Sequence, residues 1–139
     1  MATISQKIER NVARVDEERP VQDAVALMTD RSIGSVVVTR GARVVGIFTE
    51  RDLMREFAHK NLDLAKVALR DVASTRLVTV APNETAERCI ELMKTHQCRH
   101  LLVFDGDQFA GIISLRDLLV LLLEEKEDLI RNLTQYITS

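Results

Sequence analysis

The strongest constraint on this chain is a repeat within it. Displacing the sequence against itself by 65 residues aligns "VVGIFTERDLMR" with "FAGIISLRDLLV" without a gap. Gly46, Ile47, Arg51, Asp52 and Leu53 recur as Gly111, Ile112, Arg116, Asp117 and Leu118. Upstream, Val15, Leu27, Met28, Val38 and Gly41 recur as Val80, Leu92, Met93, Val103 and Gly106. These ten identities fall within 44 aligned pairs beginning at Val12 and Leu77, where chance gives about two or three with ordinary composition. A duplication implies that each copy is one supersecondary unit, burying its apolar face against something beyond itself.

Each copy reads as β-α-β-β-α. A short apolar strand (residues 12–15 and 77–80) precedes an amphipathic helix, "VQDAVALM" in one copy and "ETAERCIELM" in the other. A hairpin follows, "SVVVT" to "RVVGIF" around Arg40-Gly41 and "HLLVF" to "FAGII" around Asp105-Gly106-Asp107, with the Gly and Asp that hairpin connections favour. A second helix starts after Thr49 and after Ser114. The expected boundaries are a first repeat over 9–57, a linker with a short helix over 58–73, a second repeat over 74–125 and a C-terminal helix over 126–139. On that last helix Leu129, Ile130, Leu133, Tyr136 and Ile137 share a face. One copy, about 50 residues with few large side chains, buries too little surface to stand alone. The expected fold class is therefore α+β: two pseudo-symmetric β-α-β-β-α repeats packed sheet to sheet, with an extended C-terminal helix.

Composition narrows the chemistry. The chain is 46% hydrophobic but only 4% aromatic, with no Trp, so its core is aliphatic. A net charge of −2 supplies no global field for nucleic acid or an acidic membrane, and anion binding must come from a local cluster of Arg or Lys. The longest apolar run, "LLVLLL", is too short to cross a bilayer, and "MATISQKIER" has no apolar signal core. Cys89 and Cys98 lack CxxC spacing, so the expectation is a soluble cytoplasmic protein with free thiols.

The repeated "FTERD" of residues 48–52 carries the candidate chemistry. A strand ends there and a helix begins. Thr49 at the N-cap and Asp52 at N3 form a capping pair, and capping alone accounts for them. The same geometry also suits a nucleotide: a carboxylate at a strand-to-helix junction can take ribose hydroxyls, and a hydroxyl beside free helix N–H groups can hold phosphate. Ser114 and Asp117 offer the same two readings. Arg51 and Arg116 are either phosphate partners or part of a solvated helix face.

The stretches "SIGSVVVTRGARVVGIFTERDLMR" and "QCRHLLVFDGDQFAGIISLRDLL" together resemble the tandem cystathionine-β-synthase (CBS) domain pair, or Bateman module, of the free-standing bacterial type. The resemblance covers nearly the whole chain and includes the Gly-apolar-x-[Ser/Thr]-x-x-Asp signature twice. It implies a regulatory module that binds an adenosine compound (AMP, ADP, ATP, NAD or S-adenosylmethionine) in the cleft between repeats and signals through conformation or a separate effector protein. Asp52 and Asp117 are then ribose ligands, and Thr49 and Ser114 face the phosphate side. Arg99 and His100 stand at the rim of the second pocket, where Gly34-Ser35 occupies the matching position of the first, so the two pockets should differ. Further contacts are implied from Ser74, Thr75 and Thr79, and from residues 10–14. The family also implies a homodimer formed through helices, with no catalytic residue and no catalytic cofactor. The alternative is a structural dimerisation module with vestigial pockets.

"THQCRHLLVF" places His96, Cys98 and His100 within five residues, but they run from a helix end into a strand and do not converge as ligands, and His59 is the only other His. No metal site is expected. Cys98 aligns with Ile33 and Cys89 with Ala24, which assigns both thiols to packing.

Overall fold

The computed structural model describes residues 2–58 and 60–138. His59, counted above among the histidines, and Ser139, at the expected end of the last helix, lie outside the described residues. The first repeat supplies β1 (Arg14–Asp16), α1 (Val21–Arg31), β2 (Ser35–Arg40), β3 (Arg43–Thr49) and α2 (Glu50–Phe57). After a short helix α3 (Leu69–Val72), the second supplies β4 (Thr79–Val80), α4 (Ala86–His96), β5 (His100–Asp105), β6 (Gln108–Ser114) and α5 (Leu115–Thr138). The result is α+β, with two three-stranded sheets ordered β1-β2-β3 and β4-β5-β6. In each, the first pair is parallel and the second an antiparallel hairpin.

The 65-residue displacement survives in fine detail. α1 and α4 both end on a left-handed residue, Ser32 and Gln97, whose N–H groups close back on the last turn. Both hairpins shift register at equivalent places, between Val38 and Thr39 and between Val103 and Phe104. The two cores use matched positions: Val21, Ala24, Met28, Val36 and Phe48 in one, Ala86, Cys89, Met93, Leu101 and Ile113 in the other. Each fully buried Val, Leu, Ile or Phe contributes about 1.5–3 kcal/mol, so these inward rows hold each sheet to its helices.

The units that pack together are not the repeats as read along the sequence. One runs from Asn11 to Leu77; the other joins the residues up to Arg10 with those from Val78 onward. Ile4 is fully buried in the core of α4, β5 and β6, just as Leu69 is in the core of α1, β2 and β3. The Glu9 N–H donates to Ile112 O at 2.9 Å and the Ile112 N–H returns a bond at 3.0 Å; Ser74 and Ile47 exchange the same pair at 2.9 and 3.0 Å. Bridges Thr3–Thr85 and Pro20–Ala68 complete the correspondence. Residues 68–74, of which 68–73 were expected to lie in a linker and 74 to open the second repeat, are thus the counterpart of residues 3–9. Each of these segments lies along the outer edge of a hairpin.

That edge explains the repeated glycine. A Cβ on Gly111 would stand 2.3 Å from Glu9 O, and the residue sits at φ +152°; a Cβ on Gly46 would stand 2.9 Å from Ser74 O. Only glycine lets a neighbouring backbone come so close.

One expectation shifts. The first strands are shorter than the apolar runs suggested, because only Arg14–Asp16 and Thr79–Val80 find ladder partners on β2 and β5. The extended C-terminal helix is present as expected, and it runs on without a break from Leu115 as one element of 24 residues. No described helix is long and apolar enough to cross a membrane.

Candidate functional sites at the two strand-to-helix junctions

At the β3–α2 junction the backbone turns from extended at Thr49 into helix at Glu50. Asp52 Oδ2 accepts from the Thr49 N–H at 3.0 Å and from its hydroxyl at 3.1 Å, while the Asp52 N–H donates to Thr49 Oγ1 at 3.2 Å. This is a reciprocal capping box. At the β6–α5 junction Asp117 Oδ2 accepts from the Ser114 N–H at 3.0 Å and its hydroxyl at 2.8 Å, and the Asp117 N–H donates to Ser114 Oγ at 3.1 Å. Capping therefore consumes one carboxylate oxygen, Oδ2, at each junction and leaves the other, Oδ1, outside the cap.

The start of the first strand of each hairpin brings more groups to the same place. Ser35 pairs across the ladder with Thr49, and His100 with Ser114. The Glu50 N–H donates to Gly34 O at 3.0 Å and the Leu115 N–H to Arg99 O at 2.9 Å. Gly34-Ser35 and Arg99-His100 thus stand beside the hydroxyl and carboxylate of their own junctions. Arg51 and Arg116 project from the first helical turn, both exposed.

The junctions differ in charge and in how far Asp is committed. At the first, the Glu50 carboxylate lies over Gly34, 3.6 Å from where a Cβ would be. At the second, Glu50 is replaced by Leu115 and Gly34 by Arg99, whose exposed guanidinium has no ion-pair partner among the described residues. Asp52 Oδ1 accepts from Arg55 Nη2 at 2.9 Å. Position 120, which matches 55, is Val, and Asp117 Oδ1 takes no hydrogen bond from any described residue. Reading the repeats for what they share passed over Glu50 and Arg55. Their signal lay in what the copies do not share, together with the i,i+3 spacing of Asp52 and Arg55.

The leading segments are divided. Ser74 and Thr75 belong to the unit that holds Asp52, whereas Thr79 lies in β4, opposite Leu102, in the unit that holds Asp117. Thr75 borders a cavity of about 400 Å³ with Val45, Gly46 and the charged residues Glu17, Arg40 and Arg70. Glu17 is nearly buried and accepts from Arg40 Nε at 2.5 Å, and that bond raises the Arg40 pKa further. Arg70 in turn pairs with Glu18 at 2.9 Å, which makes the cavity a salt-bridged recess. Arg14 opens β1; Arg10 falls in the other unit.

His96 ends α4, Cys98 packs half-buried on the core, and His100 opens β5. Among the described residues no group of three or more His, Cys, Asp or Glu is placed to hold a metal ion.

A duplicated α+β unit, with a hydroxyl–carboxylate pair at each of two equivalent strand-to-helix junctions, defines the class of protein. The family follows from comparison: the CBS domain profile matches residues 4–59 and again residues 69–124, and the chain belongs to the CBS domain family as a tandem pair. It is similar to the CBS domain-containing protein YhcV of Bacillus subtilis (strain 168), 30% identical over 120 residues that cover 86% of this chain and 85% of that one. A protein with CBS domains from Burkholderia ambifaria MC40-6 superposes with a TM-score of 0.85 at 29% identity, covering 88% of this chain and 95% of its own. The CBS domain protein PAE2072 from Pyrobaculum aerophilum, complexed with AMP, shares the fold with a TM-score of 0.74 at 24% identity, covering 83% and 88%. Tandem CBS pairs are regulatory modules.

Proposed function

We propose that this chain is a cytoplasmic regulatory module that binds adenosine-containing nucleotides and passes their presence on through conformation or a partner protein. The observation that carries the proposal is the split use of Asp117. Its Oδ2 is held by the cap at Ser114, and its Oδ1 has no described partner. A carboxylate fixed in this way is pre-organised to accept from paired ribose hydroxyls. The positive end of the α5 dipole, beside Ser114, favours a phosphate, and Arg99, His100 and Arg116 add cationic or donor groups on the same side. Ser35, Thr49, Arg51 and Asp52 are the corresponding set at the first junction; Ser74 and Thr75 are outer contacts from the unit that holds Asp52, and Thr79 from the unit that holds Asp117. The AMP complex of a protein of the same fold supports the ligand class. The reading assigns no catalytic step and a homodimeric state.

One observation favours a second reading at the first junction. Arg55 already satisfies Asp52 there, as expected of a structural module whose pocket is vestigial.

Isothermal titration of the purified chain with AMP, ADP, ATP, NAD and S-adenosylmethionine, with guanosine nucleotides as controls, tests the proposal. Saturable binding of at least one adenosine compound is expected. No heat and no thermal stabilisation from any of them would leave the structural module as the correct reading.

A further inference from the structure

The two junctions carry opposite charges at one matched place. Backbone bonds fix that place alike in both: the Glu50 N–H donates to Gly34 O at 3.0 Å and the Leu115 N–H to Arg99 O at 2.9 Å. Of the first pair only Glu50 has a charge, and of the second only Arg99. A Cβ on Gly34 would lie 3.6 Å from the Glu50 carboxyl carbon and 3.7 and 3.8 Å from its oxygens, so the carboxylate lies face-on to the glycine. Gly34 has no positive φ. Its backbone would accept other residues, and what its missing side chain supplies is room for that carboxylate.

Glu50 is exposed, and its carboxylate has no hydrogen bond or ion pair to any described residue. An acidic residue in the first turn complements the helix dipole. That accounts for the charge, but not for a carboxylate turned back over Gly34 beside the start of β2. The wider balance points the same way. Glu50 and Asp52 offset Arg51 and Arg55 at the first junction, whereas Arg99 and Arg116 outnumber Asp117 at the second.

We infer that Glu50 sets the ligand class of the first junction. It turns away a phosphate and admits an adenosine compound with a positive centre, a sulfonium or an ammonium, on the ribose carbon that bears the phosphate in AMP. The inference rests on the nucleotide reading above and divides it, giving phosphate compounds to the second junction. The ribose takes Asp52 Oδ1 by displacing Arg55, whose side chain is more than half exposed. Its substituent then lies on the side bordered by Gly34 and Ser35, which Arg99 and His100 border at the second junction. A phosphate there meets a like charge from Glu50, and a sulfonium meets its opposite. Of AMP, ADP, ATP, NAD and S-adenosylmethionine, only the last carries a positive centre on that carbon.

The test is calorimetric titration of the full chain with Asp117→Asn and Arg99→Ala, which remove the ribose and phosphate contacts of the second junction. The main probes are AMP and the adenosine analogue in which an amine replaces the hydroxyl that AMP phosphorylates, with adenosine, ATP and S-adenosylmethionine beside them. The amine should bind at least about tenfold more tightly than AMP, and adding Glu50→Gln should cut that ratio at least about fivefold. Thermal unfolding without ligand verifies each fold; a dipole role alone would lower stability and leave the ratio as it was. AMP binding as tightly as the amine, or a ratio indifferent to Glu50→Gln, would overturn the inference and leave the nucleotide reading standing. Loss of all binding in the double variant, where the wild type binds, would do the same, because the first junction would then be vestigial. A wild type that binds none of the probes would refute the nucleotide reading and the inference with it.

Discussion

Replacing Asp117 with Asn separates the capping role of that carboxylate from the ribose role proposed for it. Asn keeps an oxygen that can accept from the Ser114 N–H and hydroxyl, now held at 3.0 and 2.8 Å, so the cap survives and the stability cost stays within about 1 kcal/mol. The other atom becomes an NH₂ donor, which cannot accept from ribose hydroxyls. Each charge-assisted bond lost is worth about 1.5–3 kcal/mol, a weakening of about 10- to 150-fold at 1.4 kcal/mol per decade. At the first junction a ribose must first displace Arg55 from Asp52 Oδ1. The Arg55 side chain is 57% exposed and Asp52 only 7%, and a pair open to water at one end is worth about 0.2–1 kcal/mol. Arg55→Val, which copies the second junction, should therefore raise affinity at the first by up to about fivefold. Calorimetric titration of the wild type and of Asp117→Asn, Asp52→Asn and Arg55→Val with AMP and ATP reads both effects, and thermal unfolding without ligand checks the cap. A wild type that binds, with Asp117→Asn binding within twofold of it, would refute the ribose role.

Two further outcomes concern the scaffold. Gly111→Ala adds a Cβ 2.3 Å from Glu9 O at φ +152°, which combines overpacking of about 1–3 kcal/mol with backbone strain of about 1–3 kcal/mol; Gly46→Ala meets Ser74 O at 2.9 Å without that φ and should cost about 1–3 kcal/mol. Equal denaturant midpoints for the two variants would contradict the close approach at Gly111. Burial, helped by Glu84, pushes the Cys89 thiol up to about 11. The native state then holds its proton more tightly than the unfolded chain, and stability should fall as pH rises from about 8.5 through that value. Cys89→Ala, which matches Ala24, should flatten this alkaline decline in urea midpoints, and an unchanged slope would show that another group governs it.

The duplication was legible because its identities sit where the backbone leaves no choice. Gly46 and Gly111 admit a neighbouring carbonyl, and the Thr/Ser-x-x-Asp spacing fixes N-cap against N3, so strand, hairpin and helix followed in order. The segment that each glycine admits was not legible. Residues 3–9 and 68–74 share no identity at any matched position. Ile4 and Leu69 do the same work in the two cores, but a core asks only for an apolar side chain of about the right volume, so a search for identity passes over them. The glycines held the missing information: a glycine kept in a strand at both copies implies a backbone lying against it, and residues 3–9 and 68–74 are the backbones that do so. The same distinction governs the junctions. The capping oxygen is local and readable from spacing, whereas the commitment of the outer oxygen depends on Arg55 one turn further on, where the second copy has Val120. Shared residues report the common architecture of the two junctions; residues that differ between the copies, Glu50 against Leu115 and Arg55 against Val120, decide whether the junctions can act alike.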